Sequence, residues 1–275
     1  MNELALFAGA GGGILGGKLL GWRTVCAVEW EAYPASVLCA RQNDGLLPPF
    51  PIWDDVQTFD GNPWRGIVDV VSGGFPCTDI SAAGKGAGID GEASGMWREM
   101  ARVVSEVRPP FVFVENSPML TTRGGTRVIA DLTQMGYDTK WTVMGAADIG
   151  APHQRDRMWI VAYPSSFGGK TGLADTQGWQ EGDTNKSQHS SANLANPTHS
   201  RDVWREWELG FTQQEYNSGG SPIDGGREWW SAEPNVGRVD YGLAARVDRL
   251  KAIGNGQVPL CAATAWRVLT RDWIV

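Results

Sequence analysis

The stretch Leu4-Ala-Leu-Phe7-Ala-Gly9-Ala-Gly11-Gly-Gly13 places a short apolar run directly before a series of glycines. The apolar run predicts a buried strand, and the residues near 13–20 predict the helix that follows it. Glycines between a strand and a helix let the backbone approach a ligand closely, at a helix N-terminus that attracts polar or anionic groups. The stretch therefore predicts the first unit of an α/β fold, with a ligand site at its turn.

The same alternation continues along the chain. Further strands are predicted at 24–28, 67–71, 111–114 and 157–162, and further helices near 31–42, 96–107, 125–136 and 257–271. This rhythm predicts an α/β fold with a doubly wound, mostly parallel sheet.

The composition changes in the middle of the chain. Residues 163–245 have few aliphatic side chains and many Gly, Ser, Thr, Asn and Gln. We therefore expect a catalytic and cofactor-binding domain made of residues 1–162 plus 246–275. Residues 163–245 are expected to form a smaller irregular target-recognition domain, with a mobile segment at 165–200.

Composition also limits the class of protein. The chain has 275 residues, a net charge of −7 and four cysteines without a CxxC pair, which argues against a zinc site and a disulfide framework. The charge gives no global sign of nucleic-acid binding, although a local basic cleft is compatible with it. No apolar stretch has the length of a membrane span and no signal peptide precedes the first strand. We expect a cytoplasmic monomer without a membrane anchor or a metal ion.

An acidic residue follows the predicted second strand. Glu29 lies 20 residues after Gly9, at the position where a carboxylate can hold the hydroxyl pair of a ribose. By itself this arrangement fits NAD, FAD or S-adenosylmethionine equally well.

Reactive side chains follow three other predicted strands. Pro76-Cys77 comes shortly after 67–71, Glu115-Asn116 follows 111–114, and Arg155 and Arg157 border 157–162. The carboxyl ends of parallel strands are where open α/β sheets place their chemistry. A thiol at such an edge is a candidate nucleophile and a carboxylate a candidate proton handler. Two arginines at i, i+2 point to one side of an extended segment and can grip an oxygen-rich ligand.

Taken in order, these motifs resemble the DNA (cytosine-5) methyltransferase family of bacteria and phages. The resemblance rests on the following segments: Phe7–Gly11, Glu29-Trp30, Asp55-Val56, Gly74–Cys77 with Ser81, Glu115-Asn116, Arg155 with Arg157, and Gly254–Gly256. It leaves about 163–245 unmatched. The chain departs from the usual pattern at Thr78, Ser117 and His153.

The resemblance implies S-adenosylmethionine as cofactor and double-stranded DNA as partner. It implies that Cys77 attacks C6 of a flipped-out cytosine, that Glu115 binds N3, and that Arg157 holds O2. Arg155 is expected to support either the contact with O2 or Glu115. The cofactor residues that it implies are Phe7, Ala8, Gly9, Gly11, Gly12, Glu29, Trp30, Asp55, Val56, Pro76, Asn255 and Gly256. Whether a restriction endonuclease accompanies the enzyme stays open.

The expected DNA contacts fall in two regions. Residues 78–96 are rich in glycine and suit a lid after the nucleophile, with Ser81, Lys85 and Arg98 able to meet DNA. Base reading is expected within about 201–245, near Arg201, Arg205, Arg227 and Arg238. The alternatives are an RNA cytosine-5 methyltransferase, a non-catalytic DNA-binding relative and, more remotely, a nicotinamide oxidoreductase.

Overall fold

The computed structural model describes residues 1–76, 95–168 and 246–271. They form one seven-stranded sheet in the order β3-β2-β1-β4-β5-β7-β6. The strands are β1 Asn2–Leu6, β2 Arg23–Val28, β3 Ile52–Trp53, β4 Val70–Gly73, β5 Phe111–Asn116, β6 Tyr137–Met144 and β7 Arg157–Pro164. The helices are α1 Gly12–Leu19, α2 Ala32–Asn43, α3 Met96–Val107, α4 Gly125–Gln134, α5 Ser165–Gly168, α6 Arg246–Asn255 and α7 Pro259–Thr270.

Strands β1 to β5 pair in parallel. Strands β1, β2, β4 and β5 consist largely of buried residues because helices cover both faces of the sheet, whereas the two-residue β3 is partly exposed. The register places Leu6 of β1 beside Gly73 of β4, and Gly73 beside Val114 of β5. The carboxyl ends of the three strands therefore meet at one edge of the sheet.

Strand β7 runs antiparallel to both of its neighbours, β5 and β6. Its first residues consequently lie at the edge where β5 ends, with Met158 opposite Asn116. This reversal brings Arg157, the first residue of β7, to the carboxyl end of a parallel strand.

Helices pack on both faces of the sheet. Helices α3 and α4 cover one face through a core that includes Trp97, Met100 and Leu132. On the other face, Trp266 of α7 packs edge-on against Phe113 at a centroid distance of 5.4 Å. Helix α1 approaches α7 closely because Gly16 has no side chain: a Cβ there would lie 2.7 Å from the Cβ of Ala262.

The α/β class and the mostly parallel sheet are confirmed, with differences in detail. β4 begins at Val70 rather than at Ile67, whose side chain is 51% exposed. Strands β3 and β6 and helices α5 and α6 were not predicted from the sequence, and part of Gly254–Gly256 is helical because α6 continues to Asn255.

The proposed division into two domains remains a prediction. Strand β7 continues to Pro164 and α5 follows it, while residues 169–245 lie outside the described part of the chain. Within the described ranges no helix has the length and hydropathy of a membrane span. Nor does any group of three or more His, Cys, Asp or Glu side chains in these ranges have the geometry to hold a metal ion.

Candidate active site

The turn after β1 has an uncommon backbone conformation. Phe7, Gly9 and Gly11 have φ angles of 51°, 54° and 91°. A positive φ at a non-glycine residue is uncommon and clusters at functional sites, where surrounding contacts maintain it. The Ala8 amide donates to the carbonyl of Val28 at 3.0 Å, which ties the turn to the end of β2.

Glu29 fixes this turn from the neighbouring strand. Its Oε2 accepts the amide of Gly9 at 2.7 Å and its Oε1 accepts the amide of Glu31, also at 2.7 Å. Burial raises the pKa of the Glu29 carboxyl, and the two backbone donors oppose that shift. A carboxylate can accept about four hydrogen bonds, so Glu29 keeps capacity for a ligand. Trp30 beside it is 73% exposed.

The segment that carries Asp55 and Val56 is anchored from α3. Arg102 donates through Nη2 to the carbonyl of Val56 at 2.6 Å and through Nη1 to that of Phe59 at 2.9 Å. Glu106, which also pairs with Arg102, accepts the amide of Gly61 at 2.8 Å. The side chain of Val56 is buried in the core, and Asp55 Oδ1 accepts the amide of Gln57 at 2.9 Å.

Glu115 lies at the end of β5 with a different partner on each oxygen. Its Oε1 pairs with Arg157 Nε at 2.8 Å, and its Oε2 faces Gln257 Nε2 at 3.4 Å. The residue is 8% exposed, and burial raises the pKa of its carboxyl against the opposing charges of Arg157 and Arg155. A Cβ on Gly74 would lie 2.5 Å from Oε2, so the bare glycine makes room for the carboxylate.

Arg155 is turned toward the C-terminal segment. With a φ of 53°, it donates to the carbonyl of Gly254 at 2.8 Å and to that of Gly256. The structure thus gives the two arginines different contacts, Arg157 with the carboxylate and Arg155 with the backbone between α6 and α7.

Asn116 holds the chain immediately before the predicted nucleophile. Its Nδ2 donates to the carbonyl of Phe75 at 3.0 Å, and the buried Phe75 ring packs against Trp97 at 5.5 Å between centroids. Cys77 itself lies outside the described residues, as do Ser81, Lys85, Arg201, Arg205, Arg227 and Arg238. Arg98 is exposed in the first turn of α3.

One cavity connects several of the predicted residues. It is lined by the glycine turn, the end of β4, Glu115 and the segment between α6 and α7, including Phe7, Ala8, Gly9, Gly74, Asn255 and Gly256. Sequence reasoning missed Gln257, which also lines it. The signal available was its position beside Gly254–Gly256, although a single glutamine does not reveal which side chain it will meet.

A sequence profile of the C-5 cytosine-specific DNA methylase family matches residues 1–226. The chain belongs to this family. Among its relatives it is 32% identical over 170 residues to the type II methyltransferase M.NgoBI of Neisseria gonorrhoeae, covering 60% of this chain and 51% of that protein. It is 33% identical over 168 residues to M.Eco47II of Escherichia coli, covering 58% and 38%.

A viral relative is also similar. The type II methyltransferase M.CviJI of Paramecium bursaria Chlorella virus IL3A is 34% identical over 117 residues, covering 42% of this chain and 32% of that protein. The matches therefore span about half or less of the length of these relatives. Among solved structures, a DNMT2 mutant of Spodoptera frugiperda has a TM-score of 0.48 at 17% identity, covering 66% of this chain and 53% of that chain.

Methyltransferases of this family use S-adenosylmethionine, and the cavity together with the adjoining end of β2 has features that fit such a group. The glycine turn presents its backbone without side chains, since a Cβ on Gly9 would meet no atom within 4 Å. Glu29 offers a buried carboxylate with accepting capacity, and the exposed Trp30 offers an aromatic surface. An acceptor for the hydroxyls of a ribose and an aromatic surface for a purine are thus present at one edge of the sheet.

Proposed function

We propose that the chain transfers a methyl group from S-adenosylmethionine to C5 of a flipped-out cytosine in duplex DNA. The observation that carries the proposal is the meeting of Glu115 and Arg157 beside the glycine-turn cavity, in a chain that belongs to the C-5 cytosine-specific DNA methylase family. Glu29, Trp30, Gly9 and neighbouring residues of the turn would hold the cofactor.

In the proposed reaction Cys77 activates the base. C5 of cytosine is a poor nucleophile, and addition of the Cys77 thiolate forms an S–C6 bond that makes C5 enamine-like. Electron density builds up on the ring, and a protonated Glu115 stabilises it by donating to N3. Burial raises the pKa of Glu115. At a given pH, a larger fraction of this carboxyl is therefore protonated than of an ordinary glutamate carboxyl.

The remaining steps complete the exchange at C5. When bound, S-adenosylmethionine supplies the methyl group that C5 takes. The C5 proton then passes to a base, the electrons of that C–H bond restore the C5=C6 bond, and the S–C6 bond breaks to return the thiolate. Arg157 has five N–H donors, of which Glu115 and the carbonyl of Asp156 engage two, and a further donor would hold O2 of the base.

A cytosine inside a duplex is out of reach, so the base must be flipped out at a cost of a few kcal/mol. Residues 78–96 are proposed as the lid over the flipped base, with Arg98 meeting phosphate. The reading of the target sequence is assigned to about 201–245.

Transfer of a tritiated methyl group into duplex DNA tests the proposal. We expect Cys77→Ser to abolish incorporation, whereas Cys39→Ser, which changes an exposed cysteine of α2, should retain it. Wild type should also form a covalent adduct with DNA containing 5-fluorocytosine, because fluorine at C5 blocks proton removal. Full incorporation by Cys77→Ser would refute the mechanism, and transfer to tRNA in place of duplex DNA would favour the RNA alternative.

Thermal unfolding tests the cofactor separately. S-adenosylhomocysteine at a hundredfold excess over its dissociation constant should stabilise the fold by about 2.7 kcal/mol. Glu29→Ala should weaken this effect, because the substitution removes the carboxylate that orders Gly9. A larger shift with NAD than with S-adenosylhomocysteine would indicate an oxidoreductase instead.

A further inference from the structure

Gln257 occupies the space between the glycine turn and the end of β5. Its Nε2 lies 3.4 Å from Glu115 Oε2. A Cβ on Gly13 would lie 2.6 Å from its Oε1, and a Cβ on Gly74 would lie 3.2 Å from its Nε2. The side chain is therefore enclosed by two backbone segments that the proposed reaction uses, one for the cofactor and one leading to the nucleophile.

The backbone of Gln257 is also fixed. Arg155 binds the carbonyls of Gly254 and Gly256 directly before it. The carbonyl of Gln257 approaches Gly12 so closely that a Cβ on Gly12 would lie 2.2 Å from it. An amide side chain with an anchored backbone and close neighbours has few orientations available, so it can impose one orientation on its partner.

That partner is a carboxyl group whose orientation matters. Arg157 holds Oε1 of Glu115 and Gln257 faces Oε2, so the two contacts together resist rotation of the carboxyl plane. A carboxyl that donates to N3 of a base must present one oxygen in a defined direction, because general acid catalysis depends on hydrogen-bond geometry.

We propose that Gln257 is a positioning residue, which fixes the plane of the Glu115 carboxyl between the cofactor turn and Arg157. This inference rests on the proposed methyl transfer and adds to it a residue that acts through Glu115. The amide N–H also favours the charged carboxylate, so Gln257 opposes the effect of burial on the pKa of Glu115.

Two variants of nearly equal size separate positioning from simple filling of space. Gln257→Met removes the donor, and Gln257→Glu replaces it with an acceptor. Single-turnover methyl transfer into duplex DNA is measured across pH with the full chain and saturating S-adenosylmethionine. At the maximum of the pH profile it should be about three- to tenfold slower for both variants, as expected for the loss of one hydrogen bond. The cofactor KM should change less than the rate.

The pH profile supplies the decisive readout. Because protonated Glu115 is the active form, the rate falls as pH rises through its pKa. Both variants raise that pKa, so the alkaline limb of the profile should move to higher pH, and further for Gln257→Glu, because two carboxylates repel each other. Gln134→Leu, which changes an exposed residue of α4, should keep the wild-type rate and profile.

The outcomes are distinguishable. A wild-type chain that transfers no methyl group to duplex DNA would overturn the proposed function itself. An active wild type with both variants at the wild-type rate, or slower with an unmoved alkaline limb, would overturn only the positioning role. Melting temperatures of both variants, measured alongside, identify any loss of rate that comes from unfolding.

Discussion

The two ends of the parallel strands each bury a carboxyl group, in different surroundings. At the amino end, Glu3 of β1 is 0% exposed and accepts the hydroxyls of Thr24 at 2.7 Å and Ser72 at 2.6 Å. At the carboxyl end, Glu115 of β5 pairs with Arg157 and lines the cavity. Glu3 is enclosed by hydroxyl groups of its neighbouring strands, whereas Glu115 faces a cation and open space.

The contrast shows which features separate a functional acid from a structural one. Burial raises the pKa of both groups, and it raises that of Glu3 to about 7. A perturbed carboxyl is therefore not by itself a sign of catalysis, since structural networks perturb pKa values as well. The two groups differ in their access to a cavity: Glu115 lines one, whereas Glu3 is enclosed by the hydroxyls of Thr24 and Ser72.

The largest expected difference is in catalysis. Glu115→Gln should lower the rate of methyl transfer by about a hundredfold to ten-thousandfold, the usual contribution of a positioned acid. Glu3→Gln makes the same substitution at the other buried carboxyl and should leave the rate within about twofold of the wild-type rate. The measurement is methyl incorporation under saturating substrates at a pH where both variants are folded. Equal losses in the two variants would remove the distinction between the two ends of the sheet.

The next effect concerns stability and is expected at Glu3. Its pKa in the folded state is about 7, against 4.5 for an ordinary glutamate, so the folded chain keeps a proton that the unfolded chain releases. The stabilising contribution is complete below about pH 4.5 and is lost as pH rises to about 7, by about 3 kcal/mol in all.

Denaturant unfolding at pH 5 and pH 8 measures this loss. Glu3→Gln carries no charge at either pH, so it should remove most of the difference that wild type shows between them. The variant should be more stable than wild type at pH 8 and similar to it at pH 5. An unchanged pH dependence in Glu3→Gln would mean that Glu29, Glu115 or another group causes it.

The contrast between Glu3 and Glu115 also shows which parts of the fold and of the site could be predicted from the sequence. The glycine turn, Glu29 and Glu115 could be predicted because each follows a continuous apolar run, and such runs mark parallel strands with a common carboxyl edge. Glu3 gave no such signal, since an acidic residue at the start of a strand usually lies in solvent. Its burial depends on hydroxyls from β2 and β4, which are distant in the sequence.

Other features depend on contacts that no local pattern specifies. Strand β6 runs from Tyr137 to Met144 with buried and exposed residues that do not alternate, so no period-two pattern marks it in the sequence. The antiparallel direction of β7 could not be predicted, because a buried strand has the same composition in either direction. Gln257 meets Glu115 only through the fold, 142 positions away.

The smallest expected effect concerns the hydroxyls of Thr24 and Ser72, which donate to the Glu3 carboxyl. Thr24→Val keeps the side-chain shape and removes the donor to Oε2. At pH 8 the carboxylate loses one hydrogen bond, so the variant should be about 1 kcal/mol less stable than wild type, with a smaller loss at pH 5, where Glu3 is protonated. In the Glu3→Gln background, Thr24→Val should lower the free energy of unfolding by less, because the Thr24 hydroxyl no longer has a charged carboxylate as its partner. A double-mutant cycle from denaturant unfolding isolates this coupling; a coupling of zero at pH 8 would mean that the Thr24 hydroxyl contributes nothing to holding the buried carboxylate.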